Sequence, residues 1–262
     1  MVGWKRTSET VLDIVRTSIN RDIQYPAAAL AYYGFVSLLP LLVILLAVLG
    51  KSAAAEVQLV ALEYLTPAAQ ELVRDALTDS QGRVGATLFA VAVLLWSGAN
   101  ITAGFQTVVE DVEGEIDRSL TGHLRDGVGV LGSLVFGIVS VLLVSTLFVL
   151  LPDAPFVLTG GLVALPAALT VSFLPLYYLP SRDINSLSTA APGAVTAAIG
   201  WTVLLGGIRF YAENAGAYAV FGVLSGVILI LTSLYAAAAL LMIGHVVNAT
   251  LSDVIAPLGR NR

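Results

Sequence analysis

The chain has 262 residues, 57% of them hydrophobic and 12% charged, with a mean hydropathy of +0.89. Soluble domains carry about 25% charged residues, so this composition excludes an ordinary soluble enzyme and a disordered chain. The absence of cysteine excludes disulfides, zinc–thiolate sites and thiol nucleophiles. The 13 basic residues scattered among 18 acidic ones, net charge −5, leave no clustered cationic face for nucleic acid.

Residues 1–26 precede the first long apolar run. Val11, Ile14, Val15, Ser18 and Ile19 recur at helical spacing, Lys5, Arg6, Arg16 and Arg21 are cationic, and Trp4 is an interfacial anchor. This pattern predicts a basic amphipathic helix on the membrane surface, serving as an anchor or recognising an anionic headgroup. No cleavable signal peptide fits, because the first apolar run begins near residue 27 and is long enough to span.

A span needs roughly 20 apolar residues. Six stretches qualify: Ala27–Leu49, Val84–Phe105, Val128–Leu151, Phe156–Tyr178, Ala190–Ile208 and Ala219–Ile243. Between the first two, Leu59, Leu62, Leu65, Leu72, Val73 and Leu77 predict two short amphipathic helices, the second starting at Thr66-Pro67. Residues 106–127 read as an acidic loop with Glu110, Asp111, Glu113, Glu115 and Asp117, either solvated or cation-binding; their spacing matches no EF-hand.

Six spans put both termini on one side. If that side is cytoplasmic, the inner segments hold Lys5, Arg6, Arg16, Arg21, Arg118, Arg125, Arg182, Arg260 and Arg262, and the outer ones Lys51, Arg74, Arg83 and Arg209. Nine inner against four outer, of 13 in all, favours cytoplasmic termini.

Within the spans, Pro40 kinks the first helix, Ala27/Ala31 and Leu30/Gly34 give it a close-packing face, Ser133/Gly137 do so for the third, and Gly222/Gly226 form a GxxxG pattern in the sixth. No strongly apolar span has an ionisable residue near its centre; Asp22, Arg182, Asp183, Arg209, Glu213 and His245 fall at span ends. Ion-coupled transporters usually place such groups at mid-membrane. HExxH, Walker A and GxSxG motifs are absent.

The segments AAALAYYGFVSLLPLL (27–42), LLWSGAN (94–100), YYLPSRD (177–183), PGAVTAAIGW (192–201), VFGVLSGVI (220–228) and GHVVNATL (244–251) occur in this order. Together, over nearly the whole chain, they resemble the YihY/BrkB family of six-span inner-membrane proteins. The sequence departs from the family pattern at Ser181, where Asn is frequent, at Phe221, where Tyr precedes the glycine, and at His245-Val246, where Ala-Glu precedes the matching Asn248. The resemblance implies an envelope-integrity or transport-like role. The family is sometimes labelled ribonuclease BN, a label that these residues do not support.

The expectation is an all-α, polytopic plasma-membrane protein with six transmembrane helices and short amphipathic helices: an interfacial helix over 1–26, a transmembrane domain over 27–251 and a short cytoplasmic tail over 252–262. It is non-enzymatic, with no cofactor and no metal. Its partners are membrane lipids, including an anionic lipid or a small solute, and exclude nucleic acid. It handles a lipid or amphiphilic solute or supports envelope integrity; a small-solute exporter or channel is the alternative. Tyr32, Tyr33, Ser37, Asn100, Arg182, Asp183 and Asn248 are the polar groups least explained by apolar packing. They are expected to line a polar cavity in the inner half of the bundle, with Arg182 at its rim binding an anion through its planar fork.

Overall fold

The computed structural model describes residues 22–38, 40–41, 44, 80–114, 120–150, 155–181, 184, 186–213 and 222–259. The expected N-terminal amphipathic helix, the far half of the first span, the two amphipathic helices before residue 80, Arg182 and Asp183 lie outside these residues.

The chain is an all-α membrane protein, and its described residues form six helices: α1 (24–38), α2 (Ser80–Glu113), α3 (Leu120–Leu150), α4 (Pro155–Tyr178), α5 (Leu187–Glu213) and α6 (Gly222–Gly259). The stretches Thr87–Glu113, Leu124–Thr146, Leu187–Tyr211 and Gly226–Leu251 are each long and apolar enough to cross a membrane, and α4 adds the shorter apolar stretch Val163–Tyr178.

The helices extend past the hydropathy boundaries because hydropathy marks where lipid ends, while helix geometry ends where the backbone is capped. α2 runs eight residues beyond Phe105, so the first part of the expected acidic loop is helical. It stops at Gly114, whose φ of 95° is the left-handed conformation that glycine adopts without strain, and whose N–H bonds the Glu110 carbonyl at 2.8 Å. Likewise α6 continues to Gly259, through residues that the sequence assigns to a tail. At the start of α5, Ser186 and Thr189 cap each other. The Thr189 N–H donates to Ser186 Oγ (3.3 Å), and the Ser186 N–H donates to Thr189 Oγ1 (3.2 Å). In α4, the Thr170 hydroxyl bonds the Pro166 carbonyl at 2.7 Å.

The helices form a ring in chain order, α2–α3–α4–α5–α6, that closes from α6 back to α2. The α3–α4, α4–α5 and α5–α6 pairs pack extensively; α2 meets α3 and α6 over shorter stretches. α1 lies on the seam of α2 and α6, where Ile23, Ala27 and Leu30 pack with Val108, Ala238 and Met242. The main core gathers Phe105, Val109, Val130, Leu169, Phe173, Leu176, Tyr177, four alanines of α5 and Leu241. It lies toward the end of the bundle where α2 terminates and α5 begins.

Small residues mark the closest approaches. A Cβ on Gly34 would touch Leu234, one on Gly137 would sit 3.1 Å from Phe173, and one on Gly104 would sit 2.5 Å from Leu30. The GxxxG pattern behaves differently: a Cβ on Gly226 would meet nothing within 4 Å. The tight contact of α6 lies instead at Gly244, one helical stretch further on.

A buried polar cluster as candidate functional site

A helix core in lipid needs every polar group paired. The described helices mostly meet this by bonding hydroxyls to the carbonyl one turn back. Thr107, Ser140, Thr146, Thr170, Ser172, Thr196, Thr202, Thr232 and Thr250 all do so, at 2.7–2.9 Å. Ser140 and Ser172 also bond each other across α3 and α4 at 3.1 Å.

Against that background, two buried clusters stand out. The first surrounds the α2 terminus. Ser181, just beyond α4, donates from Oγ to Glu113 Oε1 at 2.5 Å and accepts the Ile184 N–H at 3.0 Å. His245 of α6 is 0% exposed, and its Nε2 stands 3.3 Å from the same carboxylate oxygen; the Glu113 side chain is 4% exposed. The His245–Glu113 approach is close enough for electrostatic attraction but is not aligned as a hydrogen bond, and neither imidazole nitrogen has a hydrogen-bond partner. The Phe105 ring lies 6.3 Å from both the His245 ring and the Tyr177 ring. One carboxylate thus brings together the ends of α2 and α4 and the C-terminal half of α6.

Directly beside it, α5 crosses α6 with backbones in contact. A Cβ on Gly244 would lie 2.7 Å from the Gly193 carbonyl oxygen, and one on Gly193 would collide with the Gly244 carbonyl oxygen and the Asn248 amide. Asn248 closes the crossing: its Oδ1 accepts the Gly193 N–H at 2.6 Å, and its Nδ2 donates to the Ala190 carbonyl at 3.1 Å. The Gly193 N–H lies within the turn after Pro192, and Asn248 serves it from the neighbouring helix. The Tyr177 hydroxyl donates to the Leu241 carbonyl at 2.8 Å, and the Trp201 indole N–H to that of Ala237 at 3.0 Å.

The second cluster lies between α2 and α3. Thr102 (7% exposed) and Gln106 (8%) are buried, and Thr102 Oγ1 and Gln106 Nε2 have no hydrogen-bond partner. Ser97 and Ser133 also keep unpartnered hydroxyls.

Of the seven polar residues expected from sequence, Arg182 and Asp183 lie outside the described residues, and the other five do not come together at one place. Asn248 is buried between α5 and α6. Ser37 bonds the Gly34 carbonyl of its own helix at 2.7 Å, and Asn100 bonds that of Trp96 at 2.7 Å. Tyr32 is exposed; its ring meets Tyr33 edge-on at 5.4 Å, and Tyr33 meets Trp96 at 5.3 Å. Tyr32, Tyr33 and Asn100 therefore gather about Trp96 at the α1–α2 contact, away from Asn248. The sequence marks Glu113 only as a member of an acidic loop and Ser181 only as a departure from the family pattern; Tyr177, Gly193, Gly244, Thr102 and Gln106 are site residues that were not among the candidates. One signal was available: Phe105, Val108, Val109 and Val112 recur at helical spacing through the acidic stretch and carry Glu113 inward. Among the described residues no three His, Asp or Glu side chains come together as a metal site.

Residues 14–262 match the family model described as virulence factor BrkB. The chain is similar to the ribonuclease-like protein YfkH of Bacillus subtilis (strain 168), with 26% identity over 249 residues that cover 87% of this chain and 90% of that protein. No solved structure matches.

Proposed function

The chain belongs to the virulence factor BrkB family, and we propose that it is a non-enzymatic plasma-membrane protein that moves or positions a lipid or another amphiphilic solute. The observation that carries this reading is the seam between α2 and α3. It is the thinner kind of contact in the ring, it buries unpartnered polar groups at Thr102 and Gln106, and it borders lipid-facing surface. Leu95, two turns from Thr102 on the same face of α2, is exposed, as are Leu124 and Val128 on α3. A polar strip beside an apolar flank suits a molecule with a polar head and an apolar tail.

The test is reconstitution into vesicles of phosphatidylcholine and phosphatidylglycerol with a tail-labelled fluorescent lipid. Dithionite should reach label from both leaflets when the protein is present, while an entrapped small solute stays inside. Solute release with immobile lipid would favour an exporter or channel and overturn the reading.

Both termini are cytoplasmic in this proposal, on the nine-to-four distribution of Lys and Arg. A reporter fused after Arg262 should be cytoplasmic and one inserted just before Ser80 external; the reverse at either site would contradict the orientation. The ribonuclease-like name of the relative is not carried over. The basic residues of this chain are dispersed, and Glu113, the buried carboxylate, is engaged by Ser181 and faces His245. Purified protein with Mg²⁺ or Zn²⁺ should leave RNA intact. Metal-dependent cleavage that disappears in Glu113→Gln would reverse this reading.

A further inference from the structure

We infer that Thr102 and Gln106 form a binding site for the oxygen atoms of a polyol or glycerol-ester group, set in the α2–α3 seam; the inference rests on the amphiphile reading above and names the part of the molecule recognised there. Hydroxyls such as those of Thr107, Thr146 and Thr202 satisfy themselves on the preceding turn, but Thr102 does not, although the Gly98 carbonyl is in the same register. Its hydroxyl is left without a hydrogen bond, in a position that is more than nine-tenths buried. Gln106, one turn along the same face, keeps an amide N–H₂ without an acceptor. An amide nitrogen can only donate, and a hydroxyl can donate or accept, so the pair calls for a ligand rich in acceptor oxygens. A buried polar group without a partner carries a desolvation cost that a bound water or a ligand oxygen relieves.

The opposite wall is built small. Gly127 of α3 faces Thr102, such that a Cβ there would stand 3.4 Å from the Thr102 methyl and 3.9 Å from its hydroxyl, and Gly98 faces Leu131 one turn away. A side chain at 98 would press on Leu131 and a larger one at 127 would press on Thr102, so glycine at both positions keeps added bulk out of the seam.

Because the chain has no cysteine, single cysteines report the seam without background. In dodecyl maltoside, Thr102→Cys and Gln106→Cys should react with methanethiosulfonate-ethylammonium at least tenfold faster than Ala198→Cys in the core. Dioctanoylphosphatidylglycerol or free glycerol should slow that reaction: protection by the lipid alone assigns a lipid headgroup, and protection by glycerol assigns a free polyol. Reaction no faster than at Ala198→Cys, or labelling that neither compound slows, overturns the site; the latter leaves water as its occupant. In vesicles, Thr102→Val and Gln106→Leu should reduce transfer of the fluorescent lipid at least tenfold without lowering the thermal midpoint. Unchanged transfer in both variants also overturns the site. If cysteine labelling and protection occur while lipid transfer is absent even in the unmodified protein, the site stands and the transport reading falls.

Discussion

Gly244→Leu and Gly193→Leu proteins fail to accumulate as folded material, and even the two alanine variants lose about 3 kcal/mol or more of stability, measured as loss of monodisperse protein and a lowered thermal midpoint in detergent. Overpacking a well-filled core costs about 1–3 kcal/mol when side chains can give way. Here the obstacle is backbone. A Cβ on either glycine meets the carbonyl oxygen of the other, and one on Gly193 also meets Asn248, at 2.7 Å from its Cγ. Separating α5 from α6 to make room would break both Asn248 hydrogen bonds, and a Cβ on Gly244 would also run into the Tyr177 hydroxyl of α4, which bonds the Leu241 carbonyl. Such small-residue crossings are a principal source of helix association in lipid, where burial of apolar surface gives little net drive. Gly226→Leu is the control: with open space around that position, it should leave stability nearly unchanged.

His245→Ala is the second large effect, about 3 kcal/mol of destabilisation. The ring is wholly buried, so its removal leaves a void against Phe105, and it deprives a buried carboxylate of the nearest imidazole. Adding Glu113→Gln to His245→Ala should recover part of the loss, because the amide keeps the Ser181 contact without burying a charge. Chemical unfolding of the two single variants and the double variant measures this coupling directly. Strictly additive losses would show that Glu113 and His245 do not act as a pair.

The fold was largely legible because lipid imposes a simple rule. Long apolar runs become helices, and the described helices include all or part of each of the six runs. The boundaries were not legible from hydropathy. Gln106, Glu110 and Glu113 lower the local average, yet their valine neighbours keep one face of α2 apolar as far as Gly114. The site was less legible for a different reason. Tyr32, Ser37 and Asn100 were conspicuous as polar residues in apolar runs, but Ser37 and Asn100 satisfy themselves within their own helices, and Tyr32 faces outward. Thr102 and Gln106 look no different in sequence from Thr107, whose hydroxyl is paired to its own backbone. Only three-dimensional pairing separates them. Asn248 drew notice as part of a motif, and in the folded chain it serves packing by holding α5 to α6 opposite Pro192-Gly193. His245 stands where the resembled family has alanine, and in this chain it faces a carboxylate eight residues beyond the expected end of the second span.

The most direct measurement closes the seam while leaving Thr102 and Gln106 intact. Cysteines introduced at Gly98 and Leu131, which face each other across α2 and α3, can be bridged by oxidation or by a short bis-methanethiosulfonate and released by reductant. If an amphiphile passes between these helices, bridging should abolish transfer of the fluorescent lipid between leaflets, and reduction should restore it. Lipid transfer that continues at the full rate with the bridge completely formed would contradict the proposed path.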